Sequence, residues 1–273
     1  MPAEPTARFP IGARSLLDHR RAITAWAVGI AVYVGVVIAA WPSIHHSTAM
    51  AAAVQQYPDA VKELFGGPGG FDMSTGAGYL NVEFFSLMAP VLLLVFAIGL
   101  GASTLAGEES SGHLDLELGL PVTRRRLVLE KFSALIIAIT ALGMVMATVI
   151  TIAGAFTDLQ SGVRGIVAAT TGALLLAALH GTMALAVGAA TGSRALAIGT
   201  ATGTFVAGYL AQALAGLITS LKPVRMLSTM YHANGSTPIR NGFPFDHFAL
   251  LVVVTGVLAA AAVGGFERRD IRS

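Results

Sequence analysis

"GEESSGHLDLELGLPVTRRR", residues 107–126, lies between two apolar runs at about 84–106 and 132–156. Neither run contains a single Asp, Glu, Lys or Arg, whereas Glu108, Glu109, Asp115, Glu117, Arg124, Arg125, Arg126, Glu130 and Lys131 crowd into and just beyond the stretch between them. An α-helix needs about 20 mostly apolar residues to cross roughly 30 Å of hydrocarbon, and each run has that length. The charged stretch then reads as a loop at a membrane surface, and the fold as a bundle of transmembrane helices.

Composition agrees. The chain has 273 residues, of which 55% are hydrophobic and 12% charged, and its mean hydropathy is +0.72. With no Cys there is no disulfide framework and no thiolate metal site, and only His45 and His46 pair up among the seven His. A net charge of +2 is too small to indicate nucleic-acid binding. The expected fold is an all-α membrane protein forming a single transmembrane domain over 1–273. Its six transmembrane helices fall at about 22–42, 84–106, 132–156, 165–190, 195–220 and 248–266. "TGSR" at 191–194 separates the fourth and fifth as a hairpin turn.

Arginine placement orients the bundle. Arg8, Arg14, Arg20 and Arg21, then Arg124 to Arg126 with Lys131, then Arg194, and finally Arg268, Arg269 and Arg272 fall on one side; Lys62, Arg164, Lys222, Arg225 and Arg240 fall on the other. The positive-inside bias places both termini and the charged loop in the cytoplasm, as expected for a multi-pass protein of a prokaryotic plasma membrane. The first span is not a cleavable signal: its leader is long and holds several prolines. Within that leader, residues 1–21, "IGARSLLDHRRA" sets Ile11, Leu16 and Leu17 among basic residues, which suits an amphipathic helix on the inner leaflet.

Chemistry is sparse. There is no G-x-x-x-x-G-K-[ST], G-x-S-x-G or H-E-x-x-H motif, so the chain by itself is not an enzyme and holds no catalytic residue, metal or cofactor of its own. Nor do the spans carry the carboxylates that an ion-driven carrier uses. His180 is the one titratable group deep in a span. It would line a substrate path together with Tyr209 and Gln212, or satisfy a hydrogen bond between helices. The Gly pairs of "GAATG" (188–192) and "GTATG" (199–203) suit close helix packing.

Within the charged loop, "HLDLELGL" alternates as a strand would. A lone strand between two membrane helices has no sheet to join, so a short helix broken by Pro121 is expected, with Thr123 capping the helix that follows. Residues 78–132, "GYLNVEFFSLMAPVLLLVFAIGLGASTLAGEESSGHLDLELGLPVTRRRLVLEKF", resemble the permease subunits of ABC exporters of the ABC-2 type. They show a second span, an acidic pair, Gly-x-Leu-Asp-Leu, a Leu-Pro-Val-Thr-Arg turn and a Lys before the third span. "YPDAVKELFG" (57–66) and "FERRDI" (266–271) resemble the family too.

The resemblance implies a half-transporter that works as a homo- or heterodimer with a second permease copy or paralogue, in membrane lipid. Two separate ATP-binding cassette subunits would carry ATP and Mg. It also implies that the loop after the second span is a coupling helix docking on the ATPase, with Glu108, Glu109, Leu114, Asp115, Leu116, Glu117, Leu118, Pro121 and Arg124 at the matching positions, and that the leader is a connector helix. The expected function is ATP-driven export of an amphipathic or hydrophobic, drug-like substrate. The rival readings are an ion-coupled carrier or channel built on His180, and a membrane assembly factor without transport. Loop 221–247, with Pro223, Pro238 and Pro244, is expected to be irregular, and Met50 to Phe65 reads as an amphipathic outer lid.

Overall fold

The computed structural model describes residues 11–45, 47, 56–58, 72–110 and 123–269. Among them there are helices and turns but no strand. The long helices are α2 (Arg20–His45), α3 (Gly76–Gly107), α4 (Arg124–Ala155), α5 (Val163–Thr191), α6 (Arg194–Leu217) and α9 (Phe245–Glu267). A short helix α1 (Ile11–Asp18) precedes them, and a 3₁₀ segment (Thr219–Leu227), α7 (Thr229–Asn234) and α8 (Pro238–Asn241) fill the connection before α9.

Five of the long helices are long and apolar enough to cross a membrane. The exception is α6, so five of the six expected spans have a helix that meets this criterion: its Gly199, Thr200, Thr202, Gly203, Thr204, Tyr209 and Gln212 dilute its apolarity below that of the others. The helix forms nonetheless, starting where Ser193 accepts a hydrogen bond from the Leu196 amide, 3.3 Å. The preceding turn closes through Gly192, whose φ of +68° suits a residue without a side chain.

Two further expectations change. The second span begins at Gly76 rather than near 84, so Glu83 lies inside the helix. Hydropathy finds the charge-free stretch, but the helix continues outward until Thr75 caps it by accepting from the Gly78 amide, 3.1 Å. Loop 221–247 is not irregular: Pro238 opens α8 and Pro244 caps α9, positions where a missing N–H costs nothing. The lid expected at Met50 to Phe65 lies outside the described residues except for 56–58.

The bundle is built around α5, 72% of whose most apolar window is buried, against 22% for α2 and 28% for α9. Small residues allow this. A Cβ on Gly101 of α3 would collide with the Gly181 carbonyl of α5, so the two backbones touch only because Gly101 has no side chain. The outer helices turn large apolar groups outward instead, with Val28, Val32 and Val36 on α2 and Val253 and Val257 on α9 all exposed. That distribution suits a hydrocarbon solvent.

α3 widens to π-helical geometry at Asn81–Phe85 and Ser103–Gly107. At the first site Ser86 N–H reaches back to the Asn81 carbonyl, 2.7 Å, and the buried Asn234 amide of α7 donates to the Phe85 carbonyl, 3.3 Å. A local break in one span thus seats the helices that precede the last one.

Candidate functional site

The charged loop leaves α3 at Glu108 and returns at Thr123. Thr123 caps α4 by accepting from the Arg126 amide, 3.3 Å, so the arginines ride on the first turn of that helix. Between these anchors, Leu114, Asp115, Leu116, Glu117, Leu118 and Pro121 fall outside the described residues. Glu108, Glu109 and Arg124 fall inside, and they are tied down.

Glu108 accepts from Lys131 Nζ through both carboxylate oxygens, at 2.7 and 2.8 Å. Lys131 is on the second turn of α4, and its side chain is only 1% exposed, against 22% for Glu108. A buried ammonium is tolerated only with such a partner, because desolvation penalises the charge. Glu109, one residue on, is ion-paired with Arg269 just beyond the end of α9. Arg269 also donates to the Ala189 carbonyl in the last turn of α5, 3.3 Å, and lies over Gly192 in the α5–α6 turn.

Arg124 completes the clamp by donating to the Arg269 carbonyl, 2.6 Å, and to the Phe266 carbonyl, 3.4 Å. Its guanidinium is 5.9 Å from the centre of the Phe266 ring, which is itself fully buried. Cations donating to the final carbonyls of a helix match the negative end of its dipole. Beneath the clamp Leu105, Leu127, Leu185, Ala262 and Phe266 form an apolar floor. Both ends of the loop are therefore fastened to α9 and, through Arg269, to the α5–α6 turn.

α1 joins the same end. Its Gly12 amide donates to Glu130 Oε2, 3.0 Å, while Glu130 Oε1 accepts from Arg126 Nε, 2.7 Å. Gly12 and Ser15 are buried against α4, whereas Leu17 is 54% exposed.

The expected path residues lie elsewhere. His180 is fully buried on α5; its Nδ1 contacts the Leu176 carbonyl one turn back, 2.9 Å, and its ring meets Phe205 of α6 edge-on at 5.8 Å. Among the described residues Nε2 has no hydrogen-bond partner. Tyr209 packs beside Phe205, and further along α6 Gln212 Oε1 is buried without a hydrogen-bond partner among the described residues. His180 and Tyr209 thus meet at Phe205 on the α5–α6 seam, and none of the three contacts a clamp residue in the bonds described above.

Sequence reasoning did not single out Lys131, Arg269, Glu130 or Gly12 as a set. Their side of the bundle was legible from the arginine count, but their pairing spans sequence separations of 23 to 160 residues. Among the described residues no group of three or more His, Cys, Asp or Glu could hold a metal.

The family described as ABC-2 family transporter protein matches residues 13–271 of the chain. No curated protein matches it.

Proposed function

The chain belongs to the ABC-2 family of transporters, and from that premise we propose that it is the permease subunit of an ATP-driven exporter. It is a multi-pass membrane protein, a transport component without catalysis of its own, and its family implies an ATP-binding partner. On this reading six helices span the membrane, α6 included, with its Gly and Thr face turned away from lipid towards a second permease copy or paralogue. Both termini and the charged loop face the cytoplasm, where two cassette subunits bind ATP and Mg. The cargo is amphipathic or hydrophobic, since charge-free walls favour apolar surface.

The observation that carries the reading is the clamp. The loop begins and ends on residues bonded to the last helix, Glu109 through Arg269 and Arg124 through the Phe266 and Arg269 carbonyls. A push on residues 111–122 by a closing cassette pair displaces α3 and α4 directly, α9 through these bonds, and the α5–α6 turn through Arg269 and Ala189. α1, held by Glu130, moves with α4. One docking event thus reaches most of the span ends on that side, which is what alternating access requires of a coupling element.

The test is co-purification with the ATP-binding cassette subunit encoded nearest to it, followed by ATP turnover in lipid for wild type and Glu109→Ala. Association, with turnover that loses its dependence on the permease in the variant, is expected. No association, or vectorial export by the chain without any cassette subunit, refutes the proposal.

A further inference from the structure

The end of the bundle remote from the clamp holds a cavity of about 680 Å³. Asp72 and Thr75 line it from the turn before α3, Arg164 from the first turn of α5, and Arg240, Asn241 and Gly242 from α8 and its exit. On the topology proposed above, this end faces outward.

Its charges are unequal. Asp72 pairs with Arg240 through a single guanidinium nitrogen, and the Arg240 side chain stays 30% exposed with its remaining N–H groups uncommitted by that bond. The Asp72 carboxylate also accepts from the Ser74 amide, 2.8 Å, and the Ser74 hydroxyl, 2.6 Å. It therefore has little capacity left for a second cation. Arg164 has no ion pair among the described residues, and a Cβ on Gly242 would come 3.4 Å from its Nε. The cavity wall thus carries two guanidinium groups against one carboxylate that is already engaged.

We infer that this cavity binds an oxyanion, a phosphate or carboxylate group held by Arg164 and Arg240. Guanidinium groups present N–H donors in a planar fork that matches two oxygens of such a group. The volume is far more than a bare ion fills and lies in the range of small-molecule sites, so the anionic group belongs to a larger molecule. A lipid headgroup and a soluble organic anion share this chemistry.

The experiment uses the full chain in nanodiscs and follows melting by tryptophan fluorescence, with no cassette subunit or ATP present. Its outcome is thus independent of ATP coupling. Discs of phosphatidylcholine alone are compared with discs that also contain phosphatidylglycerol, and inorganic phosphate is titrated into the first kind. Wild type is expected to be stabilised by phosphatidylglycerol, by phosphate, or by both. Arg164→Gln should weaken the apparent affinity about fivefold, the scale of one partly exposed charge pair, and Arg164→Lys should recover part of it. A response to phosphatidylglycerol alone assigns a headgroup, and a response to phosphate alone assigns a soluble anion. If neither ligand stabilises wild type, or if Arg164→Gln responds as wild type does, the inference is overturned.

Discussion

Replacing Glu108 by Ala takes a two-oxygen carboxylate partner away from a buried charge. The Lys131 ammonium is 1% exposed and donates to both oxygens of Glu108 at 2.7 and 2.8 Å. Removing one partner of a fully buried pair costs about 3–5 kcal/mol, because the other charge remains in a medium that solvates it poorly. Here the carboxylate end is 22% exposed, so some water reaches the pair and the expected loss is about 2–3 kcal/mol. The reverse change, Lys131→Met, leaves a carboxylate that can hydrate and a methylene stem that still packs, and should cost about 1 kcal/mol. The double variant should cost about 2 kcal/mol less than the sum of the single ones, since both ends of the ion pair are then removed together. Unfolding in mixed micelles of mild detergent and SDS, read by the fluorescence of Trp26 and Trp41, measures all three. If Lys131→Met proves the more damaging change, or the coupling falls below about 0.5 kcal/mol, the burial argument is refuted.

Gly101→Ala should lower stability by about 1–3 kcal/mol, because its Cβ meets the Gly181 carbonyl. Gly99→Ala, with nothing within 4 Å, should be neutral or raise stability by up to about 1 kcal/mol; equal effects in the same assay would contradict the packing. Arg269→Ala should preserve the complex with a cassette subunit but uncouple its ATP turnover from transported substrate, as measured in proteoliposomes, and full coupling would remove Arg269 from the relay. For Asp72, partial burial raises the carboxyl pKa, but hydrogen bonds from the Ser74 hydroxyl and amide and the charge and hydrogen bond of Arg240 outweigh it, so the net shift is downward. A folded pKa below the unfolded one stabilises above the unfolded value, about 3.9, and that contribution is lost as pH falls through the folded value. Melting scans below pH 5 should therefore show a steeper acid decline for wild type than for Asp72→Asn.

Much of the fold was legible because hydrocarbon imposes a one-dimensional rule. A helix in lipid satisfies its own backbone, so absence of charge over about 20 residues marks it. The rule located α2, α4, α5 and α9 to within a few residues at most ends, and Arg194 with Gly192 marked the α5–α6 turn. It fails at water-facing ends, where capping decides: Thr75 carries α3 outward past Glu83, and Thr123 starts α4 before its arginines. It fails also at the prolines of 221–247, which open and cap helices as readily as they break them. Of the candidate site, Glu108, Glu109 and Arg124 stood out by charge density and by motif resemblance, and nothing local to them indicated their partners.

By itself the amino-acid order determined the class of protein, the approximate positions of its long apolar helices, the side on which basic residues gather and the lack of an ATP-binding motif. Each is a property of residue type and spacing along the chain. Only the tertiary structure decided that Lys131 is buried under Glu108, that Arg269 bridges Glu109 to the end of α5, and that Arg164 and Arg240 share a cavity. Those pairings depend on which helices lie side by side. That is settled in part by close backbone contacts such as Gly101 on Gly181, which involve none of the charges themselves.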